Sequence, residues 1–137
     1  WDGPLAVKGI LSAEDAKLAV DHGATALIIS NHGGRQLESV PAPVDLIPGF
    51  VEAVGGRAEI IVDSGIRRGT DVIKALALGA DACMIGRPYI YGLVAGGQAG
   101  VERCLQIFKE ELERNMALLG TATIRDIDSS YLFKKIN

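Results

Sequence analysis

Glu59-Ile60-Ile61-Val62-Asp63-Ser64-Gly65-Ile66-Arg67-Arg68-Gly69-Thr70-Asp71 is the stretch that decides the fold. An apolar run of strand length stops at a carboxylate and a glycine-bearing loop follows. Thr70 can then cap a helix whose apolar positions Ile73, Leu76 and Ala80 share one face, with a stop near Gly79. Three other runs have the same character: Pro4-Leu5-Ala6-Val7-Lys8, Ala26-Leu27-Ile28-Ile29-Ser30 and Ala82-Cys83-Met84-Ile85-Gly86. All are continuously apolar, not alternating, as in strands of a parallel sheet buried on both faces.

Helices fill the intervals. Ser12-Ala13-Glu14-Asp15 reads as a capping-box start and Gly23 as the left-handed residue after the helix end. A looser helix spans Val44 to Val54 and stops at Gly55-Gly56. Val101, Leu105, Phe108, Leu112, Met116 and Leu119 recur at steps of three or four, which predicts one apolar stripe on a last long helix, with Glu110, Glu113 and Arg114 off it. The order βαβαβαβα with short loops implies right-handed crossovers and a parallel α/β sheet. A closed (β/α)8 TIM barrel takes about 250 residues, so four units in 137 residues fit its C-terminal half. A doubly wound sheet is the rival. The chain reads as a single unit over 1–137. It opens on Trp1 with a strand-like run by residue 5, and so reads as a fragment.

The bulk numbers narrow the partners. A formal charge of −3 argues against a phosphate-tracking nucleic-acid surface. No apolar run approaches the ~18 residues that span a bilayer, so membrane association is not indicated. Cys83 and Cys104 are isolated in apolar stretches and read as buried thiols, which fits a reducing cytoplasm.

The polar residues Lys8, Ser30, His32, Arg35, Asp63, Arg67 and Arg87 all fall at or just beyond the C-terminal end of an expected strand. In a parallel barrel that rim aims side chains from different strands at one point. In Ser30-Asn31-His32-Gly33-Gly34-Arg35-Gln36-Leu37, a histidine able to take a proton near neutral pH stands three residues from an arginine whose fork suits a carboxylate. The bland alternative is a polar turn with a surface histidine. His22, beside Gly23 at a helix end, reads as solvated. The glycines of Asp63–Gly69 and of Ile85-Gly86-Arg87-Pro88 let backbone N–H groups approach a phosphate, with Arg67 and Arg87 supplying charge. Its alternative is that Arg67 or Arg68 pairs with Asp71 or Asp63. Lys8 reads equally as a structural ion pair or a ligand contact.

Together these strings, with Val7-Lys8-Gly9 and Leu78-Gly79-Ala80, resemble the flavin mononucleotide (FMN)-dependent L-2-hydroxy-acid dehydrogenases and oxidases, in the order and spacing of that family. The resemblance implies an enzyme that uses FMN to oxidise an L-2-hydroxy acid such as lactate, glycolate or mandelate to the 2-oxo acid. It implies Lys8 beside the flavin N1 and C2 carbonyl, and Ser30 at the flavin edge. Asp63, Ser64, Gly65, Ile66, Arg67, Gly86 and Arg87 would hold the ribityl chain and phosphate. His32 would be the base and Arg35 the carboxylate clamp, with Asp63 stabilising the imidazolium if it approaches His32. It also implies an N-terminal half of the same barrel as partner, a homotetramer at full length, and poor FMN binding by this chain alone. The alternatives are an FMN or nucleotide-phosphate barrel of the inosinate-dehydrogenase or isopentenyl-isomerase kind, which leaves His32 with Arg35 unexplained, and an inactive half-barrel.

Overall fold

A computed structural model describes residues 1–133. The elements are β1 (Ala6–Ile10), α1 (Ala13–Asp21), β2 (Ala26–Ile29), α2 (Pro43–Val54), β3 (Glu59–Val62), α3 (Gly69–Ala77), β4 (Ala82–Cys83) and α4 (Arg87–Leu119), with short 3-10 turns at His32–Gly34, Ile124–Asp126 and Ser129–Tyr131. The four strands pair in parallel in the order β1-β2-β3-β4. This is the expected α/β architecture of part of a βα barrel.

The strand limits differ in instructive ways. β1 starts two residues later than the apolar run, because Pro4 has no N–H and the Leu5 N–H is taken by Thr25 Oγ1 at 3.0 Å. Lys8 is therefore inside β1, not at its end. The register then shifts between Lys8 and Ile10, across Gly9 at φ +94°. β4 is short, but the Met84 N–H continues its ladder to the Val62 carbonyl at 2.7 Å.

Ser12 caps α1 by accepting from the Asp15 N–H at 3.1 Å. α2 ends at Gly55, which is left-handed at φ +59°. α3 begins at Gly69, one residue before the expected cap Thr70. The capping carboxylate is Asp71 Oδ2, which accepts from the N–H groups of Arg67 (2.9 Å) and Arg68 (3.0 Å).

The last helix departs most from expectation. Helical structure begins at Arg87 and is interrupted at Gly96 (φ −157°, ψ 22°) and Gly97 (φ 58°, ψ −139°). The chain reverses there, and a Cβ on Gly92 would stand 2.5 Å from the Gly100 carbonyl oxygen, so only glycines let the two segments touch. Of the expected stripe, Phe108 packs on the main core and Leu112 and Met116 on a smaller cluster around Ile73, Ala77 and Ile127. Leu105 and Leu119, toward the two ends of the stripe, are exposed.

The main core lies between one face of the sheet and α1 to α3. Leu27, Ile29, Ile60 and Val62 point into it and meet Ala16, Ile47, Phe50, Val54 and Ala75. Burying each large side chain of this set stabilises the fold by about 1.5–3 kcal/mol. The pairing Lys8, Ile28, Ile61 across β1 to β3 marks the other face. There Ile28 and Ile61 are only half-buried and Met84 is exposed, so burial on both faces, expected from the apolar runs, holds on one face of this chain.

Candidate active site

The open face of the sheet ends in a cluster of bonded polar groups. Ser30, fully buried just past β2, donates to Asp63 Oδ2 at 2.5 Å and accepts from Lys8 Nζ at 3.2 Å and from the His32 N–H at 3.1 Å. Its proton and both lone pairs are thereby committed. Lys8 Nζ also meets Asp63 Oδ2 at 2.7 Å. Burial pushes the Asp63 carboxyl up, but the bonds from Lys8 and Ser30 and the lysine charge outweigh it and hold the group below the usual carboxylate value. Lys8 is thus both a structural ion pair and a cation on the open face. Ser30 is an anchor between strands, so a flavin edge would have to share a hydroxyl already in use.

The Asn31 side chain shapes the turn that follows. Its Oδ1 accepts from the N–H groups of Gly33 (3.0 Å) and Gly34 (3.2 Å), and Ser64 Oγ accepts a second bond from Gly33 at 3.0 Å. His32 and Ser64 are held at φ +55° and +82°, where non-glycine residues cost about 1–3 kcal/mol each and persist only when their surroundings fix them. The His32 ring is exposed at the rim. Arg35, at the end of the turn, is exposed too, and among the described residues no carboxylate pairs with it. Asp63 does not pair with the His32 ring. Its bonds go to Lys8 and Ser30, and it reaches His32 only through the oxygen that holds the histidine N–H.

The second group of residues lies in the loops after β3 and β4. Gly65 is left-handed at φ +85°, and a Cβ at Gly65 or Gly86 would meet open space. Ile66 turns its side chain into the core, leaving only its backbone to the loop. The Arg68 guanidinium goes to Glu111 Oε1 at 2.8 Å, not to Asp71 or Asp63, while Glu111 Oε2 accepts from the Gly69 N–H at 2.8 Å. Those bonds, the Arg68 contact first, lower the Glu111 carboxyl and tie α4 to the start of α3. Arg67 is exposed, and its guanidinium has no acidic partner among the described residues. Arg87 Nη2 donates to the Gly33 carbonyl at 3.3 Å, which brings this loop pair against the His32 turn. Two guanidiniums beside glycine loops and a helix start, unneutralised by carboxylates, form a donor set suited to a phosphate.

Residues 1–134 match the family model described as FMN-dependent dehydrogenase. The chain belongs to that family. It is 54% identical over 129 residues to an L-lactate oxidase of Nostoc sp., covering 94% of this chain and 35% of the relative. It is 49% identical over 127 residues to a pre-mycofactocin synthase of Mycolicibacterium smegmatis, covering 93% of this chain and 32% of the relative. It superposes with a TM-score of 0.94 and 42% identity on a soluble mutant of the membrane-associated (S)-mandelate dehydrogenase from Pseudomonas putida, covering 98% of this chain and 38% of that one. The chain therefore spans about a third of the length of these family members. The names borne by relatives of near-equal identity differ, so overall identity does not fix a substrate.

Several working residues carried weak signals in the sequence. Asn31 stands before Gly33-Gly34, and an Asn that bonds backbone two residues on is a recognised turn former. Asp71 follows the loop at capping distance. Glu111 has no local signal, since its partners Arg68 and Gly69 lie more than forty positions away. Among the described residues no group of three or more His, Cys, Asp or Glu could hold a metal ion, and no helix is long and apolar enough to cross a membrane. Cys83 and Cys104 are free and partly covered, and burial pushes the Cys83 thiol up to about 11.

Proposed function

We propose that this chain forms part of a longer flavoprotein that oxidises a 2-hydroxy acid to the 2-oxo acid. One observation carries the reading. The Lys8–Ser30–Asp63 cluster fixes a strained turn that presents the exposed His32 ring and Arg35, which has no ion-pair partner among the described residues, on one rim, linked by Arg87 to a phosphate-type loop pair. The names of the lactate oxidase and mandelate dehydrogenase relatives support the substrate class.

In this reading Arg67 and Arg87, with the backbone at Gly65 and Gly86, hold the phosphate of FMN. Lys8 sets a cation at the flavin ring. Bound FMN supplies the two-electron acceptor. Arg35 grips the substrate carboxylate with two parallel hydrogen bonds, and His32 takes the proton of the substrate hydroxyl. The uncovered sheet face, with half-buried Ile28 and Ile61 and exposed Met84, is where the rest of the barrel packs.

The test is anaerobic titration of the full-length flavoprotein with lactate, glycolate and mandelate, following loss of oxidised-flavin absorbance. At least one acid should reduce the flavin stoichiometrically. Bound flavin that none of the three reduces would refute the substrate class.

A further inference from the structure

The His32 backbone is held tightly, but its ring is not hydrogen-bonded among the described residues. The ring lies over the space where a Gly9 side chain would stand. A Cβ built on Gly9 would stand 2.8 Å from His32 Cε1, 3.7 Å from Nε2 and 3.8 Å from Nδ1. The first distance is a clash and the others are ordinary contact. Cε1 lies between the two ring nitrogens, so contact at that atom limits the tilt of the ring and leaves both nitrogens able to bond elsewhere.

Gly9 is also the residue at which β1 slips register, at φ +94°. The slip leaves Lys8 on the open face and returns Ile10 to the core. A bare, half-buried backbone, in a conformation that L side chains rarely adopt, therefore lies beside Lys8 just where the imidazole comes to rest.

We infer that Gly9 is a positioning residue for His32: its missing side chain is the seat that sets the ring's orientation. This rests on the reading of His32 as the base. Two independent constraints then aim the imidazole. The left-handed backbone of His32, held through Ser30, sets the direction of its Cα–Cβ bond, and the Gly9 seat sets where the ring stops.

The experiment compares the full-length flavoprotein with Gly9→Ala, His32→Ala and the double variant. Three quantities are read: the His32 Cε1–Hε1 NMR cross-peak, thermal stability, and flavin reduction as a function of pH. Gly9→Ala should move the cross-peak, shift the pH profile and slow flavin reduction about a hundredfold, the scale expected for displacing a catalytic group by about 1 Å. In the His32→Ala background the same substitution should add no further slowing and should destabilise less, because the ring it struck is gone. An unmoved cross-peak, or an equal penalty in both backgrounds, overturns the inference and leaves Gly9 needed only for its own backbone. If Gly9→Ala cannot be purified, recovery of folded protein in the double variant supports the seat, and failure to recover it overturns it. If His32→Ala reduces flavin at the parent rate, the base reading falls by itself, while the cross-peak and the stability coupling still report on the seat.

Discussion

Lys8 Nζ lies 2.7 Å from Asp63 Oδ2 and reaches it from β1 past β2, over the Ser30 hydroxyl. The lysine on the open face is thus already paired, and a flavin beside it would feel a partly compensated charge. Lys8→Met should lower the reduction potential of bound flavin, because the anionic reduced ring loses its cation. Asp63→Asn should raise it, because the cation is no longer shared. A tenfold change in an equilibrium is about 1.4 kcal/mol, so a redox titration resolves either effect. Unchanged potentials with flavin still bound would make the pair purely structural.

The same pair gives stability a pH dependence of known sign. The Asp63 carboxyl is held below its ordinary value of 3.8 in the folded protein. A group lowered on folding stabilises fully above its unfolded value, and the contribution is lost as pH falls through the folded one. Denaturant midpoints of the full-length protein should therefore fall progressively as pH drops from about 5 toward about 1, the range in which depressed carboxylates are protonated. Asp21, lowered to about 2 by Lys17 and Arg57, and Glu111 contribute in the same direction. The difference between the parent and Asp63→Asn isolates Asp63. Parallel pH curves for the two proteins would remove its ion pair from the account of stability.

At Gly69 the start of α3 lies directly against α4. A Cβ there would stand 2.8 Å from both Glu111 Cβ and the Leu112 backbone nitrogen. Neither atom is a flexible side-chain tip, so Gly69→Ala must push the helices apart, at a cost of about 1–3 kcal/mol. The displacement would also strain the Glu111 contacts to Arg68 and Gly69, and with them the loop that carries Arg67. Thermal melts of the full-length protein should show the loss, accompanied by weaker flavin retention. A melt equal to the parent's would mean that the two helices adjust freely.

The fold was legible because each strand and helix is written locally. Continuous apolar runs set β1 to β4, and Ser12, Gly23 and Gly55 mark helix ends with side chains or a left-handed backbone that act within a few positions. Ser30, His32, Arg35, Asp63, Arg67 and Arg87 were legible as a polar rim because they follow strand ends, whereas Lys8 lies inside β1. Pairings over distance were not. Asp63 could not be assigned between His32 and Lys8 from spacing, and the outcome was decided by which side chains share the open face. Glu111 looked like any solvated acid on a helix, and its role follows from where α4 lies against α3. Gly96-Gly97 is itself a turn signal, glycine being a poor helix former, but the expected stripe begins only at Val101 and leaves the segment before it unassigned.

The base and the clamp can be separated by two substitutions in the full-length protein. His32→Gln keeps a polar side chain of similar size on the strained turn but cannot take a proton. Flavin content and substrate binding should stay near normal while kcat falls by at least the ~10²–10⁴-fold of a lost general base. Arg35→Lys keeps the charge and loses the two-pronged geometry, so KM should rise and kcat fall together. A rise in KM alone would mean that Arg35 helps ground and transition states equally, and equal falls in kcat and kcat/KM that it helps only the transition state. Steady-state turnover and stopped-flow flavin reduction on lactate, glycolate and mandelate supply the numbers. The structure makes the comparison clean, because neither side chain is held by an ion pair among the described residues and neither substitution removes a core contact. Flavin reduction at the parent rate in His32→Gln would leave the strained turn as architecture alone.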